Sequence, residues 1–292
     1  MRQWLYRLAF VAVPMLPLGS VRLIAWLFGN IAWFCDPRGR RVVEHNLAPA
    51  LGPCSSAALR RIARRSYINF VICIADIFNL PLVAKHIAKS DDFTLIDPWH
   101  VFDSAPLNGP LIIATPHCNW ELTGAMLRGN EFLSELAVIA LSHDDDGIDR
   151  LFTAARRGAG VDSLMLDQAP LASLRALNRG QILGIAADRD YTGHGVPARL
   201  FGQPIQVPVG PAALSVQSGA RIVPVCAFHH GARRVSLLVG KPLQADPEQS
   251  KRVNVRVLTQ LLITWFGRCI QAAPSQWSAF HPVWQHRHGD TE

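Results

Sequence analysis

Between residues 111 and 239 short apolar runs alternate with helix-compatible segments, and this alternation constrains the fold more than any other feature. The runs fall at Leu111–Thr115, Leu136–Leu141, Ser163–Leu166, Ile182–Ala187, Ile222–Phe228 and Val235–Val239. Short continuous runs of this kind fit strands buried on both faces. Helices are predicted at about 120–128, 147–158, 170–179, 211–218 and 250–271, the last beyond the final strand. The pattern predicts an α/β fold in which helices cover a largely parallel sheet. At 292 residues the chain buries a substantial core, as one domain or as a domain with an appendage.

Two of the predicted strands end on chemistry. Leu111–Thr115 runs into Pro116 and His117, with Glu121 four residues on. An imidazole titrates near neutrality and suits a general base. If the segment is helical from His117, the i,i+4 spacing puts both side chains on one face. Glu121 is then expected to bind the second ring nitrogen and fix the tautomer, as the acid of a catalytic triad does. Cys118, beside the histidine, is a rival covalent nucleophile, although adjacent residues usually point apart and packing is favoured for it. The second strand, Ile182–Ala187, ends in Asp188-Arg189-Asp190 and a Gly/Pro-rich loop. A helix is expected to start at Gly210-Pro211, where free amides can receive an anion. No G-x-S-x-G elbow is present for a serine hydrolase.

The N-terminal 35 residues are apolar but broken by Pro14, Pro17 and Gly19, and neither half reaches the roughly 20 apolar residues of a clean span. They are expected to form two interfacial or partly inserted helices, with Trp4, Trp26 and Trp33 as headgroup-level anchors. The alternative is that they cap the core. Pro37–Arg41 is expected to form a basic turn. The domain proper is placed at 36–292, with a polar, frayed tail from about 285.

The chain is 49% hydrophobic, 17% charged and carries a net charge of +7. An anionic membrane surface is favoured over nucleic acid, because no nucleic-acid-binding signature is present. The six cysteines form no C-x-x-C pair and fit free thiols. His229-His230 and the polar loop His143-Asp144-Asp145-Asp146 lack metal-ligand spacing, so no metal or cofactor is expected.

Five blocks, in order, resemble the bacterial lipid A biosynthesis acyltransferase family, in particular its phosphatidylinositol mannoside acyltransferase-like branch. They are Arg40…Val43-Glu44-His45-Asn46-Leu47; His117-Cys118-Asn119-Trp120-Glu121; Arg156…Gly160; the stretch from Ala187 to Val225; and Gln276-Trp277…His281-Pro282…Trp284. One departure stands out. The family places four residues between its histidine and acid, including a glycine; here Cys118, Asn119 and Trp120 alone intervene.

The resemblance implies a lysophospholipid or glycerol-phosphate acyltransferase-like sheet flanked by helices, with apolar N-terminal helices. It implies an O-acyltransferase moving a fatty acyl chain from acyl-ACP or acyl-CoA to a hydroxyl of a membrane glycolipid or phospholipid. The work would take place on the cytoplasmic face of the bacterial inner membrane. His117 and Glu121 would be catalytic, and Asn119 would fall in the substrate-binding set with Gly210. Asp188 would be a site carboxylate and Arg189 a phosphate or oxyanion partner, unless the two are a strand-capping ion pair. Arg156 would meet an anionic headgroup or phosphopantetheine, unless it is a solvated helix arginine. A non-catalytic lipid-binding relative is the rival reading, and the shortened His117–Glu121 segment is its best support.

Overall fold

A computed structural model of the chain describes residues 8–88, 90–107, 109–141, 145–166, 169–190, 193–231 and 234–284. Trp4, His143 and Asp144 of the polar loop, and the tail from 285 lie outside these residues.

Strands β1 (Phe93–Ile96), β2 (Leu111–Thr115), β3 (Ala137–Ala140), β4 (Asp162–Met165), β5 (Ile182–Ala186), β8 (Arg221–His230) and β9 (Arg234–Val239) form one sheet, in the order β1-β9-β8-β2-β5-β3-β4. From β8 to β4 every pairing is parallel. The β8–β9 hairpin is antiparallel, so β9 and β1 run against the rest. The apolar runs therefore mark the strands within a residue or two, and the burial of all five residues of β2 explains why that run lacks alternation.

The helices are α1 (Leu18–Cys35), α2 (Pro37–Leu51), α3 (Ser56–Phe78), α4 (Leu80–Ala88), α5 (Trp120–Gly129), α6 (Asp146–Gly158), α7 (Ala169–Asn178), α8 (Gly210–Ser218) and α9 (Lys251–Ala272). Two expectations are corrected here. The basic stretch Pro37–Arg41 is not a turn but the start of α2: Asp36 caps it by accepting from the Gly39 amide at 2.8 Å, and Pro37 fills the first turn, where its missing N–H costs nothing. The Gly/Pro-rich loop contains a hairpin, β6 (Val196–Leu200) with β7 (Gln203–Val207). Phe201 and Gly202, both at positive φ, make its two-residue turn.

The N-terminal region has two faces. Residues 8–12 are helical and lead through a 3-10 turn, Val13–Met15, into α1. On α1, Val21, Ala25 and Trp33 are buried, and Arg22 meets Asp76 of α3 at 3.0 Å, where His229 of β8 also lies 3.0 Å from the carboxylate. Leu23, Trp26, Leu27, Phe28, Ile31 and Phe34 are exposed. Trp33 is thus not a headgroup anchor. It packs edge-on against Tyr67, with the Arg40 guanidinium over its ring. Among the described residues no single helix is long and apolar enough to cross a membrane.

Candidate active site

Strands β2 and β5 are direct neighbours, and their register pairs Thr115 with Ala186, the last residue of each. Two strands that end level deliver the residues that follow them to the same place. His117 and Asp188 each lie two positions past that pair, and the His117 Nδ1 meets Asp188 Oδ1 in a short hydrogen bond. The backbone amide of His117 donates to the same oxygen at 3.0 Å. The other carboxylate oxygen accepts from Trp277 Nε1 at 2.7 Å. Asp188 is almost fully buried. Burial alone would raise its pKa, but the facing His117, the Arg189 charge and the Trp277 N–H outweigh it and hold the carboxyl well below the usual range. An ionised Asp188 accepts the Nδ1 proton, which makes Nε2 the basic nitrogen of the neutral ring.

Glu121, in the first turn of α5, does not supply the Nδ1 partner expected of it. Its carboxylate faces Arg156 of α6 in a forked pair, with Nε at 2.9 and 3.1 Å and Nη2 at 2.5 Å. Trp120 Nε1 adds a further bond at 3.2 Å. Both charged groups are buried. Burial pulls the Arg156 pKa down, but the Glu121 bond and charge more than compensate and raise it. Arg156 is therefore no solvated helix arginine; its charge is already neutralised inside the protein.

His117, Glu121, Arg156 and Arg189 all line one cavity of about 700 Å³, within the usual range of small-molecule sites. It lies at the carboxyl ends of the parallel strands, where open α/β sheets bind ligands. One part runs beneath α5, along Ile113, Gly184 and Val138, which share a sheet face by register. Another reaches Ser173, Val209, Gly210 and Leu214. Helix α8 does begin at Gly210 as expected, with no side chain capping it. Arg189 turns its Nη2 to the carbonyl of Ser278. The lining also includes half-buried Trp120 and Phe280 and the exposed His281.

The sequence profile of the bacterial lipid A biosynthesis acyltransferase family matches residues 1–286. The chain belongs to that family. It is similar to the phosphatidylinositol mannoside acyltransferase of Mycobacterium tuberculosis H37Rv, with 26% identity over 96% of this chain and 88% of the relative. The phosphatidylinositol mannoside acyltransferase of Mycolicibacterium smegmatis is 25% identical over 84% of this chain and 80% of its own length. The protein is thus an acyltransferase of the lipid A acyltransferase family.

The family-like blocks converge on this site. Asn46 of α2 donates to the carbonyls of Ala279 and His281 at 2.9 and 2.7 Å and accepts from the Val283 amide at 3.2 Å. Trp284 Nε1 donates to the His45 carbonyl at 3.2 Å. These bonds pin the C-terminal segment across the sheet end. Ser278 N then bonds the His117 carbonyl at 2.9 Å, and Trp277 reaches Asp188. Trp277 and Asn46 are the site-building residues to which sequence reasoning attached no role. A signal existed for Trp277: a buried indole N–H needs an acceptor.

Asn119 is buried and lies outside the cavity lining. Its amide donates to Gln276 Oε1 at 2.8 Å and the Ala227 carbonyl at 3.3 Å. Its backbone is left-handed, φ 50°. Asparagine is among the few residues that take this conformation without glycine's freedom, so Asn119 makes the turn into α5 where the family's glycine is missing. Cys118 is fully buried and packs with Cys226 and Cys269 in the core. Its thiol pKa is raised; a bond with the Cys226 thiol pulls it down, but burial and the Asp188 charge prevail.

Proposed function

We propose that the enzyme transfers a fatty acyl chain from acyl-ACP or acyl-CoA to a hydroxyl of a membrane glycolipid, with His117 as general base. The observation that carries this reading is the buried Asp188 holding His117 Nδ1 at the edge of a largely apolar cavity. Nε2 takes the proton of the acceptor hydroxyl as its oxygen attacks the thioester carbonyl. The tetrahedral intermediate collapses, the C–S bond breaks, and the imidazolium returns its proton to the leaving thiolate. Asp188 stabilises the imidazolium without itself being protonated. The thioester is already activated, so no enzyme nucleophile is needed. Arg189, beside Asp188 on the cavity wall, serves the oxyanion or a donor phosphate. The mycobacterial relatives, phosphatidylinositol mannoside acyltransferases by name, make a phosphatidylinositol mannoside-like acceptor the first candidate and a lipid A precursor the second.

Glu121 acts differently from the expectation that made it the catalytic acid. Its pairing with Arg156 fixes α6 against α5 and builds the cavity wall. It is a positioning residue.

The exposed face of α1 seats the enzyme on the membrane. Leu23, Leu27, Ile31 and Phe34 recur at helical spacing on that face. Arg38, Arg41, Arg60, Arg61, Arg64 and Arg65 are exposed on the two helices that follow. Each basic residue near an anionic leaflet adds about 1 kcal/mol, and each buried methylene about 0.8 kcal/mol. Both donors are made in the cytoplasm, which assigns the site to the cytoplasmic face of the inner membrane. Because Val21 and Trp33 join the core, deleting residues 1–35 would damage the fold; charging the face is the cleaner test.

His117→Ala should lower transfer by on the order of 10²–10⁴ while the circular dichroism spectrum is unchanged. A folded variant with normal turnover overturns the general-base assignment. Full-length protein should sediment with anionic vesicles and be released only in part by salt. The Leu27→Glu/Phe28→Glu pair should stay in the supernatant. Wild-type protein that remains soluble beside vesicles at low salt overturns the membrane reading.

A further inference from the structure

Two glycines of the cavity lining flank the side chain of Leu136. Gly124 lies inside α5 and Gly184 in the middle of β5. Neither has the positive φ that would require glycine. Glycine inside a helix or strand lowers its stability, so its presence here needs another reason. A Cβ on Gly124 would stand 3.4 Å from Leu136 Cδ2 and 3.8 Å from Val161 Cγ2, both ordinary contacts. The fold therefore has room for alanine at 124. A Cβ on Gly184 would stand 3.4 Å from Leu136 Cδ1 but only 2.8 Å from Val138 Cγ1. The two methyls of Leu136 are thus held between the two glycines.

We propose that Leu136, clasped between Gly124 and Gly184, is the stop that sets how long an acyl chain the enzyme accepts. The proposal rests on the reading of this cavity as the acyl site. Burial supports it: the lining includes exposed His281 and half-buried Phe280, whereas Ile113, Leu136 and Val161 are each 3% exposed or less. Chemistry supports it too, because this buried part is walled by Ile113, Leu136, Val138 and Val161 and the two glycines. None of these side chains carries a polar atom. The glycines supply width at the level where the chain terminates, and the Leu136 side chain closes the end.

The test uses purified full-length enzyme and acyl-coenzyme A thioesters of graded even chain length. Binding is read by native mass spectrometry and turnover by thiol release with membrane lipid as acceptor. Gly124→Ala fills the space beside Leu136 without a clash. It should cut the relative kcat/KM for the longest accepted chain about tenfold or more, with shorter chains little affected, since one methylene in an apolar pocket discriminates by about 10–200-fold. Gly184→Ala, which drives Val138 inward, should do the same. Leu136→Val should shift the profile the opposite way, toward longer chains. It is a small truncation, and its melting temperature shows whether it folds. Opposite shifts in the two kinds of variant support the proposal. Folded variants with the wild-type length profile overturn it while leaving the acyltransfer reading intact. Wild-type enzyme that binds and turns over no acyl thioester of any length overturns both.

Discussion

Two carboxylates are buried at the site, Asp188 and Glu121, and they are partnered in opposite ways. Asp188 faces an imidazole, a backbone amide and an indole N–H. Glu121 faces a guanidinium that grips it at three short distances. A carboxylate paired with a guanidinium is saturated by a charge that never leaves. A carboxylate paired with an imidazole meets a partner that gains and loses a proton at working pH, and only this second arrangement can steer proton transfer. The sequence makes Glu121 look like the partner because it is four residues away; the sheet makes Asp188 the partner because β2 and β5 end level.

The sharpest way to break this comparison is Asp188→Asn. The same change in a Ser-His-Asp triad leaves the geometry intact yet lowers kcat by about 10⁴, because the histidine is held in the wrong tautomer. A loss of that order in steady-state transfer is expected here. The acid limb of stability should change as well. The folded-state carboxyl of Asp188 is depressed, so its contribution to stability is fully present above its unfolded value near ~4 and is lost as pH falls toward the folded value. The gap between wild type and Asp188→Asn in urea unfolding should therefore close as the pH is lowered from about 5. A variant with wild-type turnover would return the orienting role to another group.

Glu121→Gln should act on stability first. Removing one member of a buried ion pair typically costs about 3–5 kcal/mol, because the other charge is left uncompensated. The double variant Glu121→Gln/Arg156→Met should recover much of that loss, as no stranded charge remains. Unfolding free energies of the four proteins form a double-mutant cycle that isolates the pair. If Glu121→Gln stays fully stable but loses activity as completely as Asp188→Asn, the distinction between the two carboxylates collapses.

The contrast also marks how far the sequence reads. The strands at Leu111–Thr115 and Ile182–Ala186 are legible because a strand buried on both faces has to be apolar throughout. Their termination at His117 and Asp188 is legible too, because charge cannot continue into a buried sheet. What is not legible is adjacency. Nothing in the chain says that β5, rather than β3, lies beside β2. Without that fact, nearness in sequence stands in for nearness in space, and Glu121 is chosen over Asp188. The hairpin Val196–Val207 is obscured for a different reason. Its prolines and glycines read as loop, yet prolines are tolerated in a two-stranded ribbon that has only edges.

A smaller effect is expected at Trp277, which holds the second oxygen of Asp188. Trp277→Phe keeps most of the buried ring and removes one hydrogen bond to a charged group, worth about 1.5–3 kcal/mol. That loss should appear in the unfolding free energy. Separately, kcat should fall by no more than about tenfold, equivalent to ~1.4 kcal/mol, with KM little changed. A drop as large as that of Asp188→Asn would mean that the indole touches substrate itself.

The smallest effect is expected next to His117, at Cys118. Proximity in sequence again suggests a role, since a thiol beside a histidine can act as a nucleophile. The structure turns the side chain away from the cavity and into the core, against Cys226 and Cys269. Its raised pKa disfavours the thiolate that nucleophilic attack requires. Cys118→Ala should therefore keep most of its transfer rate and lose about 1 kcal/mol of stability through lost packing. Enzyme given acyl thioester without acceptor should show no added acyl mass on the intact protein. A stoichiometric acyl adduct that disappears in Cys118→Ala would make the mechanism ping-pong. His117 and Asp188 would then serve to activate a thiol instead of a lipid hydroxyl.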